Sequence, residues 1–208
     1  MRYFVKTPYW LSHWIYPNYI WQLPASQEVF LTFDDGPHPE ITSFVLDQLQ
    51  QYEAKASFFC VGNRLRDFPE IKARILAAGH CLGSHTFNHV DGWKTGTEAY
   101  VQEVEAAAAL AGNFVFRPPY GHIRGRQAHA LFQKHADMRI VMWDVLTGDF
   151  DQKLSPARCL EQSLPKIRPG SIIVMHDSEK AWDRLTFVLP RLLEDMHTKK
   201  WKLSALPF

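Results

Sequence analysis

Two adjacent carboxylates, Asp34 and Asp35, end the apolar run Glu28 to Phe33 and stand directly before a Gly36-Pro37 break. Side chains along a strand point to alternate faces, but at the strand's end both carboxylates can turn into one shared site. Like charges that close are costly unless a cation lies beside or between them. The pair therefore predicts either plain Asp-Gly-Pro turn chemistry or a site where each carboxylate has its own task. Downstream, Gly83-Ser84-His85-Thr86-Phe87-Asn88-His89 puts two imidazoles four residues apart, a spacing that shares one face on a helical turn. Two neutral imidazoles and one carboxylate form the three-ligand set of a catalytic zinc-type centre, with one coordination position left for water.

Three more segments keep company with these: Phe116-Arg117-Pro118-Pro119-Tyr120-Gly121, then Trp143-Asp144 with Thr147-Gly148-Asp149-Phe150, then Ile172 to Asp177. Each ends or follows an apolar run rich in β-branched residues, where a repeating β/α fold presents its loops. In order and composition, the five segments resemble the polysaccharide deacetylase family, the carbohydrate esterases (family 4) that share a NodB-type homology domain. Asp34 and Asp35 match its T-F-D-D motif, His85 and His89 its H-[S/T]-x-x-H, and Arg117 to Tyr120 its R-x-P-Y. Asp149 matches the last Asp of its D-x-x-D-W element and Val174 to His176 its L-x-H, the resemblance covering roughly residues 28 to 205.

The resemblance implies a divalent metal held by Asp35, His85 and His89, with zinc first and cobalt or nickel also suited to such donors. It implies Asp34 as general base and Arg117 as its support, since a planar guanidinium can hold a carboxylate bidentately. A backbone N–H near Tyr120 would stabilise the oxyanion, on a loop stiffened by Pro118-Pro119. His176 would protonate the leaving amine, and a carboxylate beside it would favour the imidazolium. Asp144, Asp149 and Asp177 all lie near enough in sequence to serve; the motif selects Asp149. Where the family has Trp and Leu, this chain has Phe150 and Val174, positions the resemblance assigns to the pocket for the acetyl methyl group. The implied activity is removal of acetyl from N-acetylated amino sugars of a glycan, whether peptidoglycan, a chitin-like oligomer or another surface polysaccharide. An O-acetyl carbohydrate esterase and a catalytically decayed glycan-binding module are the alternatives.

The 208 residues fit one hydrophobic core, divided as an aromatic-rich N-terminal segment, 1–27, packed on a catalytic domain, 28–208. A net charge of +1 with both signs interspersed gives no polyanion-binding signature, so nucleic acid is not an expected partner, and the charge-free stretches are too short for a membrane span. Cys60, Cys81 and Cys159 form no paired framework and read as small apolar residues. Lys6, His13 and Asn18 interrupt any secretory leader, which predicts a cytoplasmic location by default, with cell-envelope association the alternative.

These residues need elements to position them. Strands are predicted over 28–33, 57–61, the run before His85, 114–116, 138–143 and 171–175. Helices are predicted near 40–52, 69–78, 97–111 (Thr97 as cap, Gly112 as stop), 125–135, 156–164 and 181–197, with a closing strand in the tail. Strands alternating with helices argue for a parallel sheet. The pattern fits doubly wound and closed barrel forms equally, and the resemblance selects an irregular, incomplete (β/α) barrel.

Overall fold

The computed structural model describes residues 3–24 and 26–208; Met1, Arg2 and Ala25 of the predicted N-terminal segment lie outside them. Eight strands, β1 (Glu28–Asp34), β2 (Ala56–Cys60), β3 (Cys81–Ser84), β4 (Val115–Phe116), β5 (Arg139–Ile140), β6 (Val145–Leu146), β7 (Ile172–His176) and β8 (Lys202–Leu203), form one parallel sheet. Its order is β5-β4-β3-β2-β1-β7-β6, with β8 beside β1. Between the strands run α1 (Pro39–Gln51), α2 (Gly62–Asp67), α3 (Pro69–Ala77), α4 (Thr97–Ala111), α5 (Gly125–Lys134), α6 (Pro156–Ser163) and α7 (Trp182–Thr198).

Strand alternation sorts the sequence into two interiors. Val29, Leu31 and Phe33 of β1, Ala56, Phe58 and Cys60 of β2, and Ile173 and Met175 of β7 face the helices and pack with Val45 and Leu49 of α1 and Leu185, Val188 and Leu192 of α7. The intervening residues face the concave side, where Phe30, Phe59, Val115 and Ile172 form a second cluster. Both faces are covered, which is why β1 and β7 read as nearly continuous apolar runs. On the concave side the register pairs Thr32 with Val174 and Asp34 with His176, so polar groups begin where the apolar floor ends.

The sheet is a half-barrel and not a closed TIM-like one: β5 and β6 are its two ends and do not pair with each other. The N-terminal segment is tied to both. Leu146 N–H donates to Val5 O and Thr7 N–H to Asp144 O (both 2.9 Å), while Ile20 N–H donates to Ile140 O at 2.9 Å and Met142 N–H to Ile20 O at 2.7 Å. Tyr16, Tyr19 and Trp21 pack beneath β5 with Phe116, Ile140 and Met142, whereas Tyr9, Trp10 and Trp14 stay exposed.

Several local expectations are corrected. The predicted strand 138–143 shrinks to two residues: Val141 N–H still donates to Phe116 O of β4, but the other side is met only by the single residue Ile20, to which Val141 bridges and Met142 N–H donates. The tail strand lies beside the start of β1 and closes nothing. Gly96, not Thr97, is the N-cap of α4, with no side-chain cap bond, while Gly112 ends that helix in the left-handed conformation expected of it (φ 85°). The short helix α2 has no counterpart among the predicted elements. Cys60, Cys81 and Cys159 are free thiols, and among the described residues no helix is long and apolar enough to cross a membrane.

Candidate active site

The motif residues gather at the carboxyl ends of β1, β3, β4 and β7, where parallel strands deliver their loops. Asp34 and His176 are the last residues of β1 and β7, His85 follows β3 directly and Arg117 follows β4. Backbone there is unusual. Asp35, Thr86, His89 and Tyr120 all have positive φ between 55° and 79°, each at a cost of about 1–3 kcal/mol that the surroundings must hold. The remaining non-glycine cases among the described residues, Glu53 and Lys200, lie just beyond the ends of α1 and α7. His85 to His89 is therefore a loop, not the expected helical turn; left-handed residues at 86 and 89 bring the two imidazoles together.

His89 Nε2 lies 3.1 Å from Asp35 Oδ1 and His85 Nε2 lies 3.8 Å from it, and the three donor atoms all fall within 4.8 Å of one another. His85 Nδ1 is 2.7 Å from the carbonyl of Arg117. A carbonyl only accepts, so Nδ1 carries the proton and the Nε2 lone pair faces the cluster. Burial pulls the His85 pKa down to about 4 despite the nearby carboxylates, which keeps the ring neutral. Burial alone would raise Asp35, but the His89 hydrogen bond and the His176 and His85 imidazoles outweigh it and hold the carboxyl well below its usual range. A neutral imidazole and an ionised carboxylate are the protonation states a divalent ion requires, so these residues fit one.

Flanking the triad are two locked ion pairs. Arg117, fully buried, donates from Nη1 to Asp34 Oδ1 and to Thr32 Oγ1 (both 2.7 Å), from Nη2 to Met142 O (2.8 Å) and from Nε to Val141 O (3.2 Å), with its guanidinium 4.0 Å above the Phe59 ring. His176 pairs through Nδ1 with Asp149 Oδ1 at 2.8 Å, and its backbone N–H donates to Asp149 Oδ2 at 2.7 Å. Burial works against the imidazolium, yet Asp149, with Asp35 and Asp34 behind it, pushes the His176 pKa up to about 9. The two other nearby aspartates are engaged elsewhere, Asp144 with Lys6 and Ser171 and Asp177 with Gly36 and Thr42.

Asp177, which the sequence offers only as an alternative partner for His176, has a different task. It accepts from Gly36 N–H at 3.0 Å and from the Thr42 hydroxyl, bracing the turn that carries Asp35, and burial pushes its pKa up to about 7. A Cβ on Gly36 would overlap the Asp177 carboxylate. Gly36→Ala is therefore expected to displace that brace, costing about 1–3 kcal/mol in unfolding free energy and misplacing Asp35; an unchanged denaturation midpoint would show that the turn yields freely.

Tyr120 stands at the site's edge, its ring 4.8 Å from that of His89 in an edge contact, on a loop rigidified by Pro118-Pro119. Phe150 makes an edge contact with His176 at 5.2 Å and is covered by Tyr3 at the same separation. Val174, fully buried, lies two residues before His176 on the same face of β7. Every predicted site residue is thus in one cluster. Ser178, whose hydroxyl donates to Asp35 Oδ2 at 3.3 Å, joins it without any signal in the motifs, and Thr32, the first residue of the T-F-D-D motif, lies beneath Asp34 as an acceptor for Arg117.

The polysaccharide deacetylase family profile matches residues 23–138. A peptidoglycan-N-acetylglucosamine deacetylase of Bacillus cereus is 35% identical over 192 residues, spanning 86% of this chain and 67% of that protein. A chitooligosaccharide deacetylase of Sinorhizobium fredii is 30% identical over 91% of this chain and 97% of its own length. Among solved structures, the Bc1960 peptidoglycan N-acetylglucosamine deacetylase superposes with a TM-score of 0.84 at 31% identity, covering 96% of each chain.

Proposed function

Because the chain belongs to the polysaccharide deacetylase family, we propose that it is a metal-dependent hydrolase removing acetyl from N-acetylated amino sugars of a glycan. The carrying observation is the register pairing of Asp34 with His176, which puts one proton acceptor and one proton donor side by side above the floor of the half-barrel. Asp35, His85 and His89 would hold the ion, zinc by preference. When bound, a divalent ion supplies Lewis-acid polarisation and acidifies water.

The chain's own residues divide the remaining tasks. Asp34, fixed by Arg117, takes a proton from the attacking water. The backbone N–H near Tyr120 donates to the developing oxyanion. His176, held charged by Asp149, delivers a proton to the departing amine, without which an amide nitrogen does not leave. Phe150 and Val174 wall the space for the methyl group. A charged His176 favours amide over ester cleavage, since an alkoxide needs less help to depart, and every catalytic position is filled, which argues against a decayed binding module. The relatives named above act on peptidoglycan N-acetylglucosamine or on chitooligosaccharide, and both names point to an N-acetylglucosamine unit as the substrate class.

The test is acetate release from N-acetylglucosamine oligomers by the purified protein, after chelation, and after adding back zinc, cobalt or nickel. The expected result is release lost on chelation and restored by at least one ion. Metal-loaded protein that releases acetate only from acetylated xylan is instead an O-acetyl esterase; release from neither oligomers nor peptidoglycan overturns the deacetylase reading.

A further inference from the structure

Beyond the catalytic cluster, the rings continue. From His89 the chain of contacts passes to Tyr120 (4.8 Å), then His122 (5.7 Å), then Trp93, whose indole stacks on the His122 imidazole at 3.5 Å and 7°. Trp93 is 52% exposed and Tyr120 57%, so one indole face rests on His122 while the ring remains open to solvent. Water-facing indole on a loop costs apolar exposure, and here the loop is built to keep it there. Asp91 Oδ1 accepts from Trp93 N–H and from His122 Nδ1 (both 2.9 Å). Fully buried Gln127 donates to the carbonyls of Gly92 (2.9 Å) and Thr95 (3.1 Å), and Arg124 donates to the carbonyl of Trp93 itself. Gly92 is required by close approach, because a Cβ there would overlap the carbonyl oxygen of His122.

We propose that Trp93, stacked on His122 and clamped by Asp91 and Gln127, is a platform for a second pyranose ring of the glycan, next along the chain from the one whose acetyl group is removed. A β-linked amino sugar presents flat faces of polarised C–H bonds, which the negative face of an indole attracts, and a fixed aromatic surface binds with little ordering cost. The platform rests on the deacetylase reading and deepens it: it selects oligomers over single sugars, and it places that selection in substrate binding. Tyr120 bridges it to the reacting centre.

The experiment compares Trp93→Ala and Trp93→Phe with the unaltered protein on N-acetylglucosamine oligomers of two to six units. Trp93→Ala is expected to raise KM for the longer oligomers about tenfold, with the loss in KM rather than kcat, and Trp93→Phe to recover most of it. In parallel, calorimetric titration of hexamer into Asp34→Asn, with and without Trp93→Ala, reads binding without turnover, and the same tenfold weakening is expected. Equal hexamer affinity in the two titrations, or a chain-length dependence of KM unaltered by Trp93→Ala, overturns the platform. If no oligomer releases acetate, the deacetylase reading falls while the titration still decides the role of Trp93.

Discussion

Replacing Arg117 with methionine is expected to lower unfolding free energy by about 3–5 kcal/mol and to cut kcat for deacetylation by about 10²-fold or more. Methionine keeps much of the length and the contact with Phe59, so the loss isolates the guanidinium. Four hydrogen bonds disappear at once, and the buried Asp34 carboxylate is left with no ion-pair partner while the carbonyls of Val141 and Met142 lose their Arg117 donors. Lysine is no substitute, because one ammonium on a flexible stem cannot reproduce a planar fork spanning β1 and the strand end at Val141. Denaturation of Arg117→Met, Asp34→Asn and the double variant separates the two roles. Removing the charge of Asp34 in the Arg117→Met background is expected to restore part of the stability and none of the activity. Additive stability losses would mean that the two groups do not support each other.

The candidate site is legible because the chemistry it would carry depends on residue types that lie next to strands the sequence also declares. β1 and β7 are long and buried on both faces, so hydrophobicity marks them and their last residues fall where the motifs are. The edges of the sheet were not legible for the converse reason. β5 and β6 have two residues each, and their backbone partners include Val5, Lys6 and Ile20, more than a hundred positions away; no local pattern encodes such pairing. Likewise α2 spans six residues with two arginines and too little length for a periodic stripe. His85 and His89 come together without the helical turn their spacing predicts, since a loop with left-handed residues at 86 and 89 can do what a helical turn does. The bracing role of Asp177 and the display of Trp93 are not readable from sequence because both are set by tertiary partners: Gly36 and Thr42 for the one, Asp91, His122 and Gln127 for the other.

These partners also explain why the site tolerates so much strain. Four left-handed residues and two buried ion pairs would each destabilise an isolated loop, yet every buried side-chain polar atom among the described residues has a hydrogen-bond partner. The cost is met by the half-barrel beneath, whose apolar floor leaves the polar groups only one direction in which to meet.

Asp149→Asn should reveal which proton the reaction needs. With Asp149 intact, His176 stays protonated until pH passes about 9, so kcat on an N-acetylated oligomer is expected to fall along a basic limb near that value. The amide that replaces the carboxylate can still accept a hydrogen bond but carries no charge. Burial, the opposing influence on His176, then prevails and takes the imidazole below its ordinary value of about 6.5. The basic limb accordingly moves from about 9 to below about 6.5, and at pH 8 kcat drops by about 30-fold or more as the protonated fraction falls. Stability shifts in the same direction. Because the folded-state pKa of His176 is raised, the pair contributes fully below the unfolded value of about 6.5 and its contribution is lost as pH rises through about 9; Asp149→Asn removes that contribution and flattens the decline. An activated acetyl ester, whose leaving group departs unprotonated, is expected to lose far less than the amide. A basic limb that stays near 9 in Asp149→Asn would remove His176 from the role of acid and assign the limb to another group.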